Sequence, residues 1–361
     1  MTQPTHGGNV YKVAHERQIP VDQIVDFSAN INPLGPPAVV RRAIRSAFKQ
    51  IVHYPDPDCR QLRQALAQQC GVDPDMILVG NGSTELIHLV PRALAIKSSL
   101  IIGPTFEEYA RALMDAGGTV QYVHARREDR FRPPVKEILR ELSATRTRID
   151  AVFLCNPNNP TGQVLNKSAM RELADGMERR QGWLIVDEAF IDYCQKQSVV
   201  SMLRAYPRMV VLRSLTKFYA MPGLRIGYVV GASKVIDRLK DRQPPWSVNS
   251  LAQEVSCAIL RDHAYAIKSR AFMEKERSRF IKGLRSLPGV RVYSSVANFV
   301  LIELPDWSSA GLVADRLAAE GLLVRDCSTL PGLSARMIRV AVRTVKENRR
   351  LMRALGVCLK K

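Results

Sequence analysis

From about residue 76 the chain alternates short apolar runs with amphipathic stretches. The runs Met76–Val79, Leu100–Ile102, Val120–Val123, Ala151–Leu154, Trp183–Val186, Val210–Leu212 and Ile226–Val230 have the length and composition of strands. Helical patterns lie between several of them, near 84–95, 106–116, 133–142 and 167–180. Strands separated by helical crossovers predict an α/β unit with a mostly parallel, buried seven-stranded sheet. The last two strands are joined too briefly for a crossover helix, so one of them is expected to run antiparallel.

The segment Gln243-Pro-Pro-Trp-Ser247 interrupts this pattern. Beyond it the spacing predicts long helices at roughly 248–262 and 264–286. Strand-like runs at 298–303 and 337–342 then flank a helix near 309–320 and a short strand near 322–325, and a helix follows at 345–356. This is a second, smaller α+β unit. Residues 1–30 fit neither pattern and read as an arm, which gives an expected division into 1–30, 31–245 and 246–361.

A length of 361 residues suits two such units. No run of 18 or more uncharged apolar residues exists, which excludes a membrane-spanning helix. The N-terminus lacks a basic stretch followed by an apolar one, so the expected location is the cytoplasm. Seven scattered cysteines without a Cys-x-x-Cys pair, and six histidines without ligand spacing, predict free thiols and no metal site. The net charge of +19 is dispersed. Its densest stretch, Arg261 to Arg285, interleaves Glu274 and Glu276 and reads as a solvated helix face. No nucleic-acid-binding motif accompanies it, so no nucleic-acid partner is expected. A positive field also favours small anionic substrates.

Four segments at predicted strand ends could carry chemistry, because ligands in parallel sheets bind there. Ser214-Leu-Thr-Lys217 precedes Gly223-Leu-Arg-Ile-Gly227. A lone lysine after a strand is ordinarily solvated surface. Hydroxyls with an arginine make a phosphate clamp, however, and a lysine beside it can form a Schiff base. Asp187-Glu-Ala-Phe190 follows a strand, where an aspartate can also simply cap a turn. Asn156-Pro-Asn-Asn-Pro-Thr-Gly162 is rich in turn formers. Gly80-Asn-Gly-Ser-Thr84 sits before a helix whose first N–H groups would hold an anion, without the ending of a Walker loop.

In this order and placement the four segments resemble the fold type I pyridoxal-phosphate enzymes, and among them the histidinol-phosphate aminotransferase group. A narrower set of residues is similar to the threonine-phosphate decarboxylases, which supply the aminopropanol phosphate of cobalamin. These are His6-Gly-Gly-Asn9, Asp26-Phe-Ser-Ala-Asn-Ile-Asn-Pro-Leu-Gly35, Tyr54-Pro-Asp-Pro-Asp58, Pro245-Trp-Ser-Val-Asn249 and Arg339-Val-Ala-Val-Arg343. Phe190 points the same way, since the aminotransferase relatives usually carry tyrosine there.

The resemblance implies pyridoxal 5′-phosphate as cofactor and a role for each matching residue. Lys217 would be the Schiff-base lysine and general acid/base, Asp187 the partner of the pyridine nitrogen, and Asn159 the donor to the phenolic oxygen. Gly82, Ser83, Thr84, Ser214, Thr216 and Arg225 would enclose the cofactor phosphate, and Phe106 would stack on the ring. Tyr54 would reach that phosphate from a neighbouring subunit, which implies a homodimer. Arg339 would take the substrate carboxylate. Arg325, His6, Gly8 and Asn30 would meet the substrate's own phosphate. The implied reaction is decarboxylation of L-threonine O-3-phosphate, with L-serine O-phosphate as a second substrate. Histidinol-phosphate transamination is the alternative reaction. A ligand-sensing regulator is a remote alternative, because residues 1–30 are too short for a DNA-binding domain.

Overall fold

The computed structural model describes residues 7–144 and 148–360. In chain order the elements begin with α1 (Val10–Arg17), β1 (Val25–Asp26), α2 (Ala38–Ala47) and α3 (Arg60–Cys70). An alternating series follows: β2 (Ile77–Gly80), α4 (Ser83–Ala93), β3 (Ser98–Gly103), α5 (Glu108–Asp115), β4 (Thr119–His124), α6 (Val135–Ala144), β5 (Ala151–Cys155), α7 (Lys167–Arg179) and β6 (Trp183–Asp187). Then come β7 (Met209–Ser214), β8 (Gly227–Val230), α8 (Ser233–Lys240), α9 (Ser250–Leu260) and α10 (His263–Arg285). The chain ends with β9 (Arg291–Val292), β10 (Phe299–Glu303), α11 (Ala310–Ala319), β11 (Leu322–Leu323), β12 (Arg325–Asp326), β13 (Met337–Ala341) and α12 (Val345–Cys358).

Seven strands form one sheet in the order β2-β8-β7-β6-β5-β3-β4. Only β8 runs against its neighbours, as the short β7–β8 connection requires. The strands are apolar on both faces because both faces are covered. Along β3, Leu100 and Ile102 enter one core with α3, α6, α7 and α9, while Ile101 enters the other with α4, α5 and α8. All four candidate segments therefore emerge at one end of the sheet.

A second sheet, β12-β13-β10-β9, is antiparallel and packs on α10, α11 and α12 through Phe280, Val300, Ile338 and Leu351. Among the described residues no helix is long and apolar enough to cross a membrane. The seven cysteines are free thiols. On α10, Met273, Glu276, Phe280 and Leu284 form a buried stripe, so only part of its charged surface is solvated.

Several elements differ from the sequence expectation. Helices α1, α2, α3 and α8 were not anticipated. The predicted strand at 322–325 is two, since β11 pairs with β1 while β12 joins the antiparallel sheet. Val25–Asp26 and the fully buried Phe27 thus close the core of the smaller unit, although the sequence reading places them in the arm. Likewise α9 follows the Pro-Pro break, yet its Ala252, Val255 and Ile259 fill the core under the large sheet. A break in local pattern marks a bend in the chain, not which core the next helix joins.

Candidate active site

The strand ends of β2, β5, β6 and β7 converge on Lys217. Its Nζ donates to Thr216 Oγ1 at 3.1 Å, and the Thr216 hydroxyl lies 2.8 Å from that of Ser214. Burial lowers the Lys217 pKa from an ordinary 10.5 to about 8; Arg225 and Arg339 push the same way, and Asp187 opposes them.

Asp187 ends β6 with its carboxylate buried. Oδ2 accepts from Tyr109 Oη at 2.6 Å and Oδ1 from the Ala189 N–H at 2.8 Å. Burial raises its pKa, against the Tyr109 and Ala189 hydrogen bonds and the nearby Lys217. The next residue, Glu188, turns away and accepts from Arg213 at 2.8 and 3.0 Å, so the two adjacent acids serve separate environments.

Behind β2, Gly82 adopts a φ of +80°, and a Cβ there would lie 2.5 Å from Arg225 Nη2. The arginine thus lies directly over the first turn of α4, whose leading N–H groups at Ser83 and Thr84 have no partners within the helix. On β8, a Cβ at Gly227 would lie 2.4 Å from the Ser83 nitrogen, so a side chain there would push the turn away.

The loop after β5 is pinned by its own side chains. Asn158 accepts from Thr105 Oγ1 at 2.8 Å and donates to the Pro104 carbonyl and Thr161 Oγ1. That placement brings Asn159 Oδ1 onto Arg339 Nη1, which turns the Asn159 NH2 away from the guanidinium. Arg339 also donates to the Ser28 carbonyl, while its buried Nε has no partner among the described residues. Burial lowers its pKa to about 10. Arg325 stands opposite Arg339 across β12–β13, which sets two guanidinium groups on one face. Its Nη2 reaches Glu107 Oε2 at 3.3 Å.

The structure therefore brings Gly82, Ser83, Thr84, Asn159, Asp187, Ser214, Thr216, Lys217, Arg225 and Arg339 together at one end of the large sheet, with Arg325 beside Arg339. Phe106 joins through an edge contact with Tyr109, ring centroids 5.8 Å apart. Gly8 donates to Ser28 Oγ at 2.8 Å, beside the carbonyl that Arg339 uses, and buried Asn30 accepts from Asn298. His6 lies outside the described residues. Tyr54 is not part of this cluster. It is 80% exposed and stacks on Trp246 at 4.7 Å. Tyr109 and Glu107 were missed by sequence reasoning. The available signal for Tyr109 was one hydroxyl on an otherwise apolar helix face, Tyr109-Ala112-Leu113.

Residues 22–355 match the family model described as aminotransferase class I and II. The chain belongs to this family. It is 39% identical to the threonine-phosphate decarboxylase of Salmonella typhimurium, over 97% of this chain and 95% of that one. It is 34% identical to the histidinol-phosphate aminotransferase of Thermoanaerobacter pseudethanolicus, over 91% of each. The solved L-threonine-O-3-phosphate decarboxylase of Porphyromonas gingivalis is 29% identical with a TM-score of 0.83, covering 94% of this chain and all of that one. The fold is that of the fold type I pyridoxal-phosphate enzymes.

Pyridoxal 5′-phosphate is the cofactor of this family, and the residues fit it. The missing side chain at Gly82 lets the Arg225 guanidinium lie against the first turn of α4, as a cofactor phosphate would require; Asp187 is a buried carboxylate near Lys217, and burial depresses the Lys217 pKa. A lysine of depressed pKa makes a specific pH prediction. Capture of added cofactor by the cofactor-free enzyme should speed up as pH rises and level off above about 8, not near the ordinary 10.5. Stopped-flow absorbance against pH checks it; a rate still climbing at pH 10 would contradict the assignment. The sign for stability is consistent. Lys217 binds fewer protons folded than unfolded between those values, so its destabilising contribution fades as pH rises through that window.

Proposed function

We propose that this protein decarboxylates L-threonine O-3-phosphate to (R)-1-aminopropan-2-yl phosphate and carbon dioxide, for the aminopropanol arm of cobalamin. L-Serine O-phosphate, one methyl smaller, is a second substrate. A pocket discriminates such a pair by only about 10- to 200-fold.

The observation that carries the decarboxylase reading over transamination is Phe190. It packs edge-on against Phe299 at 4.9 Å, in the apolar layer beneath the Arg339 guanidinium. It offers no hydroxyl where the aminotransferase relatives usually have one, which leaves Asn159 as the donor to the phenolic oxygen. The similarity to the Salmonella decarboxylase over almost the whole chain supports the same reading.

When bound, pyridoxal phosphate supplies an electron sink for the pair released at the substrate α-carbon. Gly82, Ser83, Thr84, Ser214, Thr216 and Arg225 hold its phosphate through N–H groups, hydroxyls and a guanidinium. Asp187 places a negative charge against the ring nitrogen, and Tyr109 orients that carboxylate. Phe106 covers the ring face. Arg339 would hold the substrate carboxylate, and Asn159, held by the same guanidinium, would help fix how that carboxylate is oriented. The α-carbon loses its carboxylate as carbon dioxide, and Lys217 would return a proton to that carbon in its place. Arg325, Asn30, Gly8 and His6 receive the substrate phosphate.

A homodimer in the cytoplasm is part of this reading. Phe48, Ile51, Val52, Tyr54 and Trp246 expose large apolar side chains together with the Tyr54 ring that would enter the neighbouring site.

The test supplies the cofactor-loaded protein with L-threonine O-3-phosphate and no oxo-acid. Equal amounts of carbon dioxide and amine over many turnovers are expected. No carbon dioxide, with conversion of histidinol phosphate when 2-oxoglutarate is added, would establish the transaminase instead.

A further inference from the structure

We infer that Glu107 sets how tightly this site grips phosphate: its carboxylate holds Arg325 between turnovers, and the substrate phosphate takes its place. The inference rests on the proposed position of that phosphate at Arg325.

Three features of the structure lead to it. Arg325 is nearly buried, its side chain 10% exposed, and its one ionic partner among the described residues is Glu107, at 3.3 Å. The two come from different parts of the fold, Glu107 from the start of α5 beside Phe106 and Arg325 from β12 of the smaller sheet. Arg325 also faces Arg339 directly across the β12–β13 ladder. Like charges directly opposed on a sheet repel, so the pair of guanidinium groups calls for anions. Glu107 answers part of that demand. Its side chain is 27% exposed and makes no capping bond to its own helix, so it can swing into water when displaced.

The consequence is kinetic as well as thermodynamic. Substrate and product both carry the phosphate, so grip on it is uniform binding, which lowers KM without speeding the chemical step. A resident carboxylate that competes for Arg325 loosens this grip and lets the product leave. It does so only for ligands that use Arg325. An amino acid lacking the phosphate leaves the Glu107–Arg325 pair intact and gains nothing from it.

The experiment titrates inorganic phosphate into the cofactor-loaded wild type, Glu107→Gln, Arg325→Gln and the double variant by calorimetry. Glu107→Gln is expected to tighten phosphate binding by at least about twofold and at most about 140-fold, the range of coupling for residues in contact. The KM for L-threonine O-3-phosphate should fall with it, kcat should not rise, and binding of L-threonine should be unmoved. In the Arg325→Gln background the Glu107 change should have no further effect. Unchanged or weaker phosphate binding in Glu107→Gln, or the same tightening without Arg325, would overturn the inference. Phosphate binding indifferent to Arg325→Gln would instead remove the proposed phosphate position on which it rests. The titration needs no turnover, so it reads out even if the decarboxylation reading fails. Unaltered circular dichroism of Glu107→Gln excludes misfolding as the cause.

Discussion

Lys217→Ala should lower turnover by about four orders of magnitude or more, because under the proposed function one side chain carries both the covalent hold on the cofactor and the proton transfer. The variant should remain folded: among the described residues Lys217 makes a single side-chain hydrogen bond, to Thr216, and removing a buried amine also removes its desolvation penalty. Cofactor should still bind, through Arg225 and the first turn of α4, but borohydride should no longer fix it to the chain. Mass spectrometry of the reduced protein decides this. A cofactor adduct retained on another lysine would overturn the assignment. Loss of activity with normal adduct formation is impossible under it, so the two readouts check each other.

Asp187→Asn should reduce kcat by about 10²–10³-fold, the scale of removing one preorganised electrostatic partner at a reacting centre. The cofactor phosphate cradle is untouched, so cofactor affinity should change far less than kcat. Tyr109→Phe separates charge from orientation. Burial already raises the Asp187 pKa, and the Tyr109 hydrogen bond is the largest influence opposing it. Without that bond the carboxylate protonates at higher pH, so the acid limb of the kcat profile should move upward while the plateau falls only modestly. A profile that keeps its acid limb would mean that Tyr109 packs against Asp187 without tuning it.

Much of this was readable along the chain because the signals are local. Strand-length apolar runs fix β2 to β8 since a sheet buried on both faces needs apolar residues at every position. The short β7–β8 link announced the antiparallel strand. Asn156–Gly162, Asp187 and Ser214–Lys217 each announced themselves by following such a run. What stayed hidden depended on partners distant in sequence. Tyr109 and Asp187 are 78 positions apart, Arg325 and Glu107 218, and Arg339 and Ser28 311. Nothing in the flanking residues of either member encodes these pairings.

The sequence by itself determined the alternation of strands and helices, and with it the end of the sheet where ligands bind. It also determined, through motif resemblance, the family, and it singled out Lys217 as the candidate reacting lysine. Tertiary structure alone decided which core α9 and Phe27 join, because burial is settled by shape complementarity across the whole chain. It alone decided that Asp187 faces the site while Glu188 faces Arg213, since alternate side chains leave opposite faces of a strand. And it alone set Arg325 beside Arg339 with Glu107 against Arg325, because charges 14 residues apart become neighbours only when β12 and β13 pair.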